Sequence, residues 1–138
     1  MEVDRRRNDN LMKAIIDTNV LIYIFTQKTD VFSQLKELGF KKFLFPKQVI
    51  TELRNLEKSL NGREKVAAKF ALQLIENCKE CEVKEIEAEG SDDAIIKLAK
   101  EENAVIISND KELRKKAKKL GIQTGYLREL KFIEVEDF

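Results

Sequence analysis

Acidic residues at four places in the chain, one of which is a pair of adjacent aspartates, have the types and spacing that could support chemistry. Asp17 and Asp110 each end an apolar run that is typical of a buried strand, Glu52 lies within a helix, and Asp92 and Asp93 open another helix. In open α/β sheets, ligands bind outside the carboxyl ends of the strands. Acids gathered there predict a site for Mg²⁺ or Mn²⁺, because sites made only of oxygen ligands favour these ions over zinc or copper.

Each acid also has an ordinary structural explanation. Asp17, Asp92 and Asp110 could each be a helix N-cap, and Glu52 could be an exposed surface glutamate. Capping does not explain Glu52, which lies mid-helix at the border of the apolar stripe. Several carboxylates placed close together raise one another's pKa values, and such a cluster is tolerable mainly where cations offset it. Taken together, the four positions therefore favour a metal site over four separate structural roles.

Helical register separates the two adjacent acids at positions 92 and 93. Asp92 shares a helix face with Ile95 and Ala99, whereas Asp93 aligns with Lys97, one step toward solvent. We therefore favour Asp92 as the inner metal ligand, with Asp93 as an outer or alternative ligand.

The chain contains no histidine. Proton transfer by imidazole is therefore excluded, and so are nucleophiles of the Ser-His and Cys-His types. Glu52 or a metal-bound water must take the part of the base in any hydrolysis.

Basic residues are concentrated near the C-terminal end, although the net charge is only +1. Between positions 110 and 131 there are eight basic residues and three acidic ones. A basic segment beside acidic candidates suits a polyanionic substrate such as RNA, although a solvated helix face would give the same pattern. The candidates for RNA contact are Lys111, Arg114, Lys115, Lys118 and Arg128.

The elements that must position these residues alternate between strand and helix patterns. The predicted strands are residues 13–17, 42–45, 81–86, 104–108 and 122–127, with a short edge strand at 131–135. Helices are predicted over about 20–27, 30–38, 46–60, 63–77, 92–102 and 111–120. This order predicts an α/β fold with a mostly parallel sheet of about five strands and helices on both faces.

Length and composition predict one domain, residues 12–138, preceded by a flexible polar arm over residues 1–11. Met12 is an alternative start. No apolar stretch approaches about 20 residues, so we expect no membrane span and a cytoplasmic location.

Two further expectations concern the middle of the chain. In the helix at 63–77, the inward residues are predicted to be Val66, Phe70 and Leu74, with their neighbours Ala67, Ala71 and Ile75. Cys78 and Cys81 form a lone C-x-x-C without the further ligands that a zinc site needs, and we expect two reduced thiols.

Four motifs resemble those of the PIN domain nucleases. They are Ile-Ile-Asp17-Thr-Asn19-Val-Leu, Val-Ile-Thr-Glu52-Leu, Asp92-Asp93-Ala-Ile-Ile and Ile-Ser108-Asn109-Asp110-Lys-Glu-Leu. They occur in the family's order, and the likeness extends from about Met12 to Leu130. The resemblance implies a three-layer α/β/α fold and a metal-dependent ribonuclease.

The resemblance also implies roles for individual residues. The acidic ligands would be Asp17, Glu52, Asp92 and Asp110. Asn19 matches the polar residue that orients the first acid. The small polar residues before the last acid correspond to Ser108 and Asn109.

The sequence does not decide which branch of the PIN domain family the chain resembles most. The double acid Asp92-Asp93 and the segment Gly125-Tyr126-Leu127-Arg128 look more like the PIN proteins that cleave ribosomal RNA precursors. The alternatives are a VapC-type toxin held by an antitoxin and a non-catalytic RNA-binding module. PIN domains often form homodimers, so the resemblance allows a homodimer.

Overall fold

The structure is a computed structural model that describes residues 13–59 and 62–136. The arm expected over residues 1–11, and Met12, lie outside the described residues. The strands are β1 Lys13–Ile16, β2 Lys42–Pro46, β3 Cys81–Lys84, β4 Val105–Ile107, β5 Thr124–Arg128 and β6 Phe132–Val135. The helices are α1 Thr18–Thr26, α2 Val31–Glu37, α3 Lys47–Glu57, α4 Gly62–Glu76, α5 Ser91–Glu102 and α6 Lys111–Lys119.

The sheet has the strand order β3-β2-β1-β4-β5-β6, and all neighbours are parallel except the pair β5 and β6. The chain proceeds outward from β1 to β2 and β3, and then returns to place β4 on the other side of β1. This makes the space between β1 and β4 a topological switch point, where α/β sheets bind ligands. Right-handed crossovers in opposite directions place helices on both faces of the sheet. The predicted α/β fold is confirmed, with six strands among the described residues instead of about five.

The central strands are almost entirely buried. Ile15 of β1 lies between Leu44 of β2 and Ile106 of β4, and all three side chains are inaccessible or nearly so. Continuous apolar runs, rather than alternating ones, are what parallel strands covered on both faces require. The site therefore stands on a rigid base.

Helix α4 is turned differently from the prediction. Val66 is 47% exposed and Phe70 is 37% exposed, so their predicted inward positions are wrong. The buried face is made largely of small residues, Ala67, Ala68 and Ala71, and it lets α4 pack closely against both α1 and α3. The larger side chains are left at the border of the contact.

The prediction of two reduced thiols is also wrong. Cys78, just after α4, and Cys81, at the start of β3, are joined by a disulfide. A tight turn, in which the Cys81 N–H donates to the Cys78 carbonyl at 3.3 Å, brings the two residues together. Sequence spacing alone could not show this local backbone geometry.

None of the helices in the described ranges is both long enough and apolar enough to cross a membrane.

Candidate functional site at the switch point

Asp17 is placed at the switch point by the end of β1. Its N–H donates to the Ile107 carbonyl of β4 at 2.9 Å, and it forms the N-cap of α1. One carboxylate oxygen accepts from the Thr18 N–H at 2.7 Å, and the other accepts from the Ser108 hydroxyl at 2.6 Å. Asp17 thus has both roles that its sequence allows, as a helix cap and as an acid at the carboxyl edge of the sheet.

The environment of Asp17 raises the pKa of its carboxyl group above the ordinary value of 3.8. Burial is the main cause. The hydrogen bonds from Ser108 and Thr18 oppose it, and the negative charges of Asp92 and Glu52 add to it. The ionised form of Asp17 is therefore destabilised, and a nearby cation would offset this cost.

Glu52 reaches the same place from the middle of α3. One carboxylate oxygen accepts from the Thr18 hydroxyl, and the other accepts from the Ser91 hydroxyl at 2.9 Å. Glu52 therefore joins the first turns of α1 and α5, which a glutamate with a purely solvent-facing role would not do. Neither Thr18 nor Ser91 was identified from the sequence. The signal that could have found them is a hydroxyl residue directly beside an acid.

Asp92 faces the other acids. Its side chain is open to the cleft, and the pKa of its carboxyl group is raised. Partial burial is the largest cause, followed by the charges of Asp110 and Glu52, while the charge of Lys116 lowers it. This coupling places Asp92 within the same acidic cluster.

Asp93 is turned away from that cluster. Its carboxylate accepts from the Glu89 N–H at 3.1 Å and pairs with Lys97 at 3.4 Å. The Glu89 hydrogen bond is the main reason that the pKa of Asp93 is lowered. The structure therefore brings Asp92, and not Asp93, toward the other acids.

Asp110 caps α6 and is linked to Asp17 by hydrogen bonds through the Ser108 hydroxyl. One Asp110 carboxylate oxygen accepts from the backbone N–H groups of Glu112 at 2.9 Å and Leu113 at 3.2 Å. The Asp110 N–H donates at 3.0 Å to the hydroxyl of Ser108, which itself donates to Asp17. Ser108 is fully buried, so this hydroxyl fixes the ends of β1 and β4 relative to each other.

The two asparagines hold the loop after β4. The Asn109 side chain accepts from the Leu127 N–H at 2.7 Å and donates to the Leu127 carbonyl at 3.2 Å, which ties the loop to β5. The Asn19 side chain accepts from the Asn109 N–H at 3.5 Å. Asn19 thus contacts this loop, whereas Ser108 and Thr18 make the hydrogen bonds to the Asp17 carboxylate.

Arg114 points into the fold. Its guanidinium lies over the Tyr126 ring at 4.6 Å, donates to the Ser108 carbonyl at 2.9 Å and pairs with Glu136 at 3.3 Å. Only 12% of its side chain is exposed. Arg114 is therefore used to brace the loop after β4, and its predicted RNA contact does not fit this position.

Two other predicted RNA-binding residues already have acidic partners. Lys118 pairs with Glu136 at 3.0 Å, and Arg128 pairs with Glu134 at 2.8 Å and with Glu129 at 3.3 Å. Both side chains are about half exposed, so a phosphate would have to compete with these ion pairs.

A different part of α6 faces the acids. Lys115, Lys116 and Lys119 line a shallow pocket of about 240 Å³ together with Asp92. Lys111, in the first turn of the same helix, is also exposed. The sequence prediction included Lys111 and Lys115 but missed Lys116 and Lys119, because only the tertiary structure shows which face of α6 is turned toward the acids.

The donor set suits a hard divalent cation, since it consists of carboxylate oxygens, and neighbouring negative charges contribute to the raised pKa values of Asp17 and Asp92. Within residues 13–59 and 62–136, however, no three acidic side chains converge closely enough to enclose an ion in the present arrangement. Glu52 is directed at two hydroxyls, and Asp110 is directed at the N–H groups of α6. The residues fit a metal by their chemistry and their common location.

Comparison with known proteins gives a consistent result. Residues 14–130 match the family described as PIN like domain. Ribonuclease VapC9 of Archaeoglobus fulgidus is 50% identical over 136 residues, which are 99% of this chain and 98% of that protein. Ribonuclease VapC4 of Methanocaldococcus jannaschii is 35% identical over 91% of this chain and 97% of its own length.

A solved structure, that of the PIN domain endonuclease Utp24, shares the fold. Its TM-score is 0.71 at 24% identity, with 91% of this chain and 92% of that chain covered. The family match spans most of the chain, and the two ribonuclease relatives cover nearly all of it. The chain therefore belongs to the PIN domain family.

Proposed function

We propose that this protein is an endoribonuclease that depends on Mg²⁺ or Mn²⁺ and hydrolyses RNA phosphodiesters. The observation that carries the proposal is the common location of Asp17, Glu52, Asp92 and Asp110 around the switch point, where burial and neighbouring acids raise the pKa values of Asp17 and Asp92. These four residues would hold the metal, with Asp93 as an outer or alternative ligand. A bound ion would supply activation of the attacking water and stabilisation of the leaving oxygen.

The chain's own residues would organise this reaction. Ser108 and Thr18 hold the Asp17 carboxylate in one orientation, and two hydroxyls do the same for Glu52. Glu52 would accept a proton from the attacking water, since the chain has no imidazole. Preorganised oxygens of this kind need little rearrangement during the reaction.

The RNA backbone would lie along the exposed lysines of α6. Lys115, Lys116 and Lys119 border Asp92, so a phosphate chain bound there would pass directly beside the acids. Their positive charge would also offset the repulsion between the acidic cluster and the phosphates.

The test is the substitution Asp17→Asn, assayed on labelled RNA with Mn²⁺ or Mg²⁺. We expect cleavage to fall by more than about 100-fold because an amide is a poor ligand for these ions, while the circular dichroism spectrum is unchanged. Asp30→Asn is the matched control, since Asp30 is also a helix N-cap but lies at the start of α2. A folded Asp17→Asn protein that cleaves RNA as fast as the wild type would contradict the proposal and favour a non-catalytic RNA-binding module.

The biological role has two candidates. Asp92-Asp93 and the segment at 125–128 indicate the branch that matures ribosomal RNA, whereas both curated relatives carry the name VapC, one of them at 50% identity over nearly the full length. The second observation favours a VapC-type toxin with an antitoxin partner. Growth arrest on expression of the wild type, but not of Asp17→Asn, would support it. Crosslinking of the bound RNA to ribosomal precursor, without growth arrest, would support the first role.

The assembly state belongs to the same proposal. A homodimer is typical of the family, and the solution mass from light scattering will test it.

A further inference from the structure

We propose that the cavity beside the acids binds one unpaired nucleobase next to the phosphate that is cleaved, and that Tyr23 is the residue on which this base stacks. The inference rests on the proposed function, and it adds a residue that positions the RNA beside the acids.

The cavity has a volume of about 650 Å³ and lies between α1 and the second half of α3. Helix α4 packs against both of these helices and closes the far side, where Glu64 lines the cavity. A volume of this size falls within the usual range of pockets for small organic groups. The cavity is therefore large enough for a nucleoside next to the acidic cluster.

The side chains that line the cavity are of two chemical kinds. The acids Asp17, Glu52 and Asp92 are of one kind, and Ile22, Tyr23 and Leu56, which lie about one helical turn further along α1 and α3, are of the other. Phosphates and hydrated ions would meet the acids. An aromatic ring flanked by two aliphatic side chains has little to offer a phosphate, but it fits the flat apolar face of a base.

Tyr23 is positioned for such stacking. It is half-buried, so the surrounding helices restrict its ring while part of it remains open to the cavity. Asn55 lies on the next turn of α3 after Glu52 and also lines the cavity. Its amide offers both a donor and an acceptor to the polar edge of a base.

The geometry favours an unpaired base. A base that lies against Tyr23 while its phosphate is at Asp17 and Asp92 has left the stack of any helix it belonged to. Unstacking and unpairing a base costs free energy in a duplex, and it costs much less in a loop or a single strand. Sequence-specific proteins use aromatic side chains in this way on splayed, single-stranded RNA.

The experiment uses an RNA oligonucleotide with one cleavage site and a second version in which the base beside that site is replaced by an abasic ribose. On the intact RNA, Tyr23→Ala should raise KM by at least ~5-fold, with a smaller change in kcat. This factor corresponds to the lower end of the free energy of a base–aromatic contact. Tyr23→Phe keeps the ring and should restore KM to near the wild-type value. Phe25→Ala is the matched control, because Phe25 is a partly exposed aromatic residue on the same helix that does not line the cavity.

The abasic RNA provides a second, independent measurement on the unmodified protein. On the abasic RNA, the KM of the wild type should rise by about the same factor. The KM of Tyr23→Ala should rise little further on this RNA, because both changes remove the same contact. Equal KM values for intact and abasic RNA with the wild type, at each nucleotide flanking the site, would overturn the inference while leaving the proposed function intact. If the wild type cleaves no RNA with either metal, the proposed function fails and the inference fails with it.

Discussion

Hydroxyl groups next to the acids determine how the acids point. Thr18 follows Asp17 in the sequence, and Ser91 precedes Asp92, yet the hydroxyls of both donate to Glu52. Ser108 donates to Asp17 across the sheet. Each of these hydrogen bonds holds a carboxylate in one orientation before any substrate binds, which is what a preorganised site requires.

One prediction at this scale concerns stability against pH. The pKa of Asp17 is higher in the folded state than the ordinary value of 3.8, so the native state binds this proton more tightly than the unfolded chain does. The contribution of this group to the free energy of unfolding therefore falls as the pH rises from 3.8 through the raised pKa. At neutral pH the full cost of burying the ionised carboxyl group is present. In metal-free buffer at pH 7, Asp17→Asn should be more stable than the wild type by about 0.5–2 kcal/mol.

Urea unfolding in the presence of a chelator measures this difference. The gain should narrow as the pH is lowered through the raised pKa of Asp17, because the wild-type carboxyl group then also becomes neutral. A variant that is less stable at pH 7, or a gain that does not depend on pH, would show that the hydrogen bonds of Asp17 outweigh the cost of burying its charge.

Among the secondary-structure elements, the junction of β4, β5 and β6 supports the loop that carries Ser108 and Asp110. The Ser108 N–H donates to the Gly125 carbonyl of β5 at 2.9 Å, and Asn109 is tied to Leu127 of the same strand. The position of the last acid therefore depends on how closely β5 packs against its neighbours.

Gly125→Ala tests this dependence. A Cβ at position 125 would lie 2.8 Å from the Glu134 carbonyl oxygen of β6 and 3.0 Å from the Ile107 side chain, and the first of these atoms belongs to the backbone. We expect a loss of about 1–3 kcal/mol in the free energy of unfolding, together with weaker cleavage. The measurements are chemical denaturation and the RNA cleavage assay.

Gly62→Ala is the matched control for this prediction. Gly62 opens α4, and a Cβ there meets no atom within 4 Å. The free energy of unfolding should stay the same or rise by a few tenths of a kcal/mol, because alanine is the better helix former. Equal stability of the two variants would contradict the role given to the packing of β5.

For the whole molecule, the distribution of charge over the surface says more about binding of a polyanion than the net charge does. The net charge is +1, yet acids line the switch point while Lys115, Lys116 and Lys119 cover the adjoining face of α6. An arrangement of this kind can attract a polyanion and still present carboxylates to it.

Lys116→Gln tests the RNA path that this distribution predicts. Lys116 is close enough for its charge to lower the pKa of Asp92, so its removal should weaken RNA binding and reduce the slope of log affinity against log salt by about 0.7 for a single-stranded RNA. Lys100→Gln is the control, since Lys100 borders a pocket with Asn103 and Gln123, away from the acids. Filter binding across a salt series measures both slopes, and identical slopes for the two variants would exclude this path.

The sequence by itself determined the α/β class, the order of the elements and the positions of the four acids. These features follow from local patterns, because apolar runs, capping residues and helical register depend on near neighbours in the chain. The preference for Asp92 over Asp93 as a metal ligand also came from register and stays a prediction; in the structure the Asp93 carboxylate bonds the Glu89 N–H, while the charges of Asp110 and Glu52 act on Asp92.

The tertiary structure alone decided which side chains meet across the sheet. It turned Arg114 inward to Tyr126, directed Lys116 toward the acids, and left Val66 and Phe70 exposed because small alanines form the closer contact of α4. It also brought Tyr23 beside the acids. Such contacts join residues that are far apart in sequence, and their outcome depends on how whole helices pack, which no local pattern specifies.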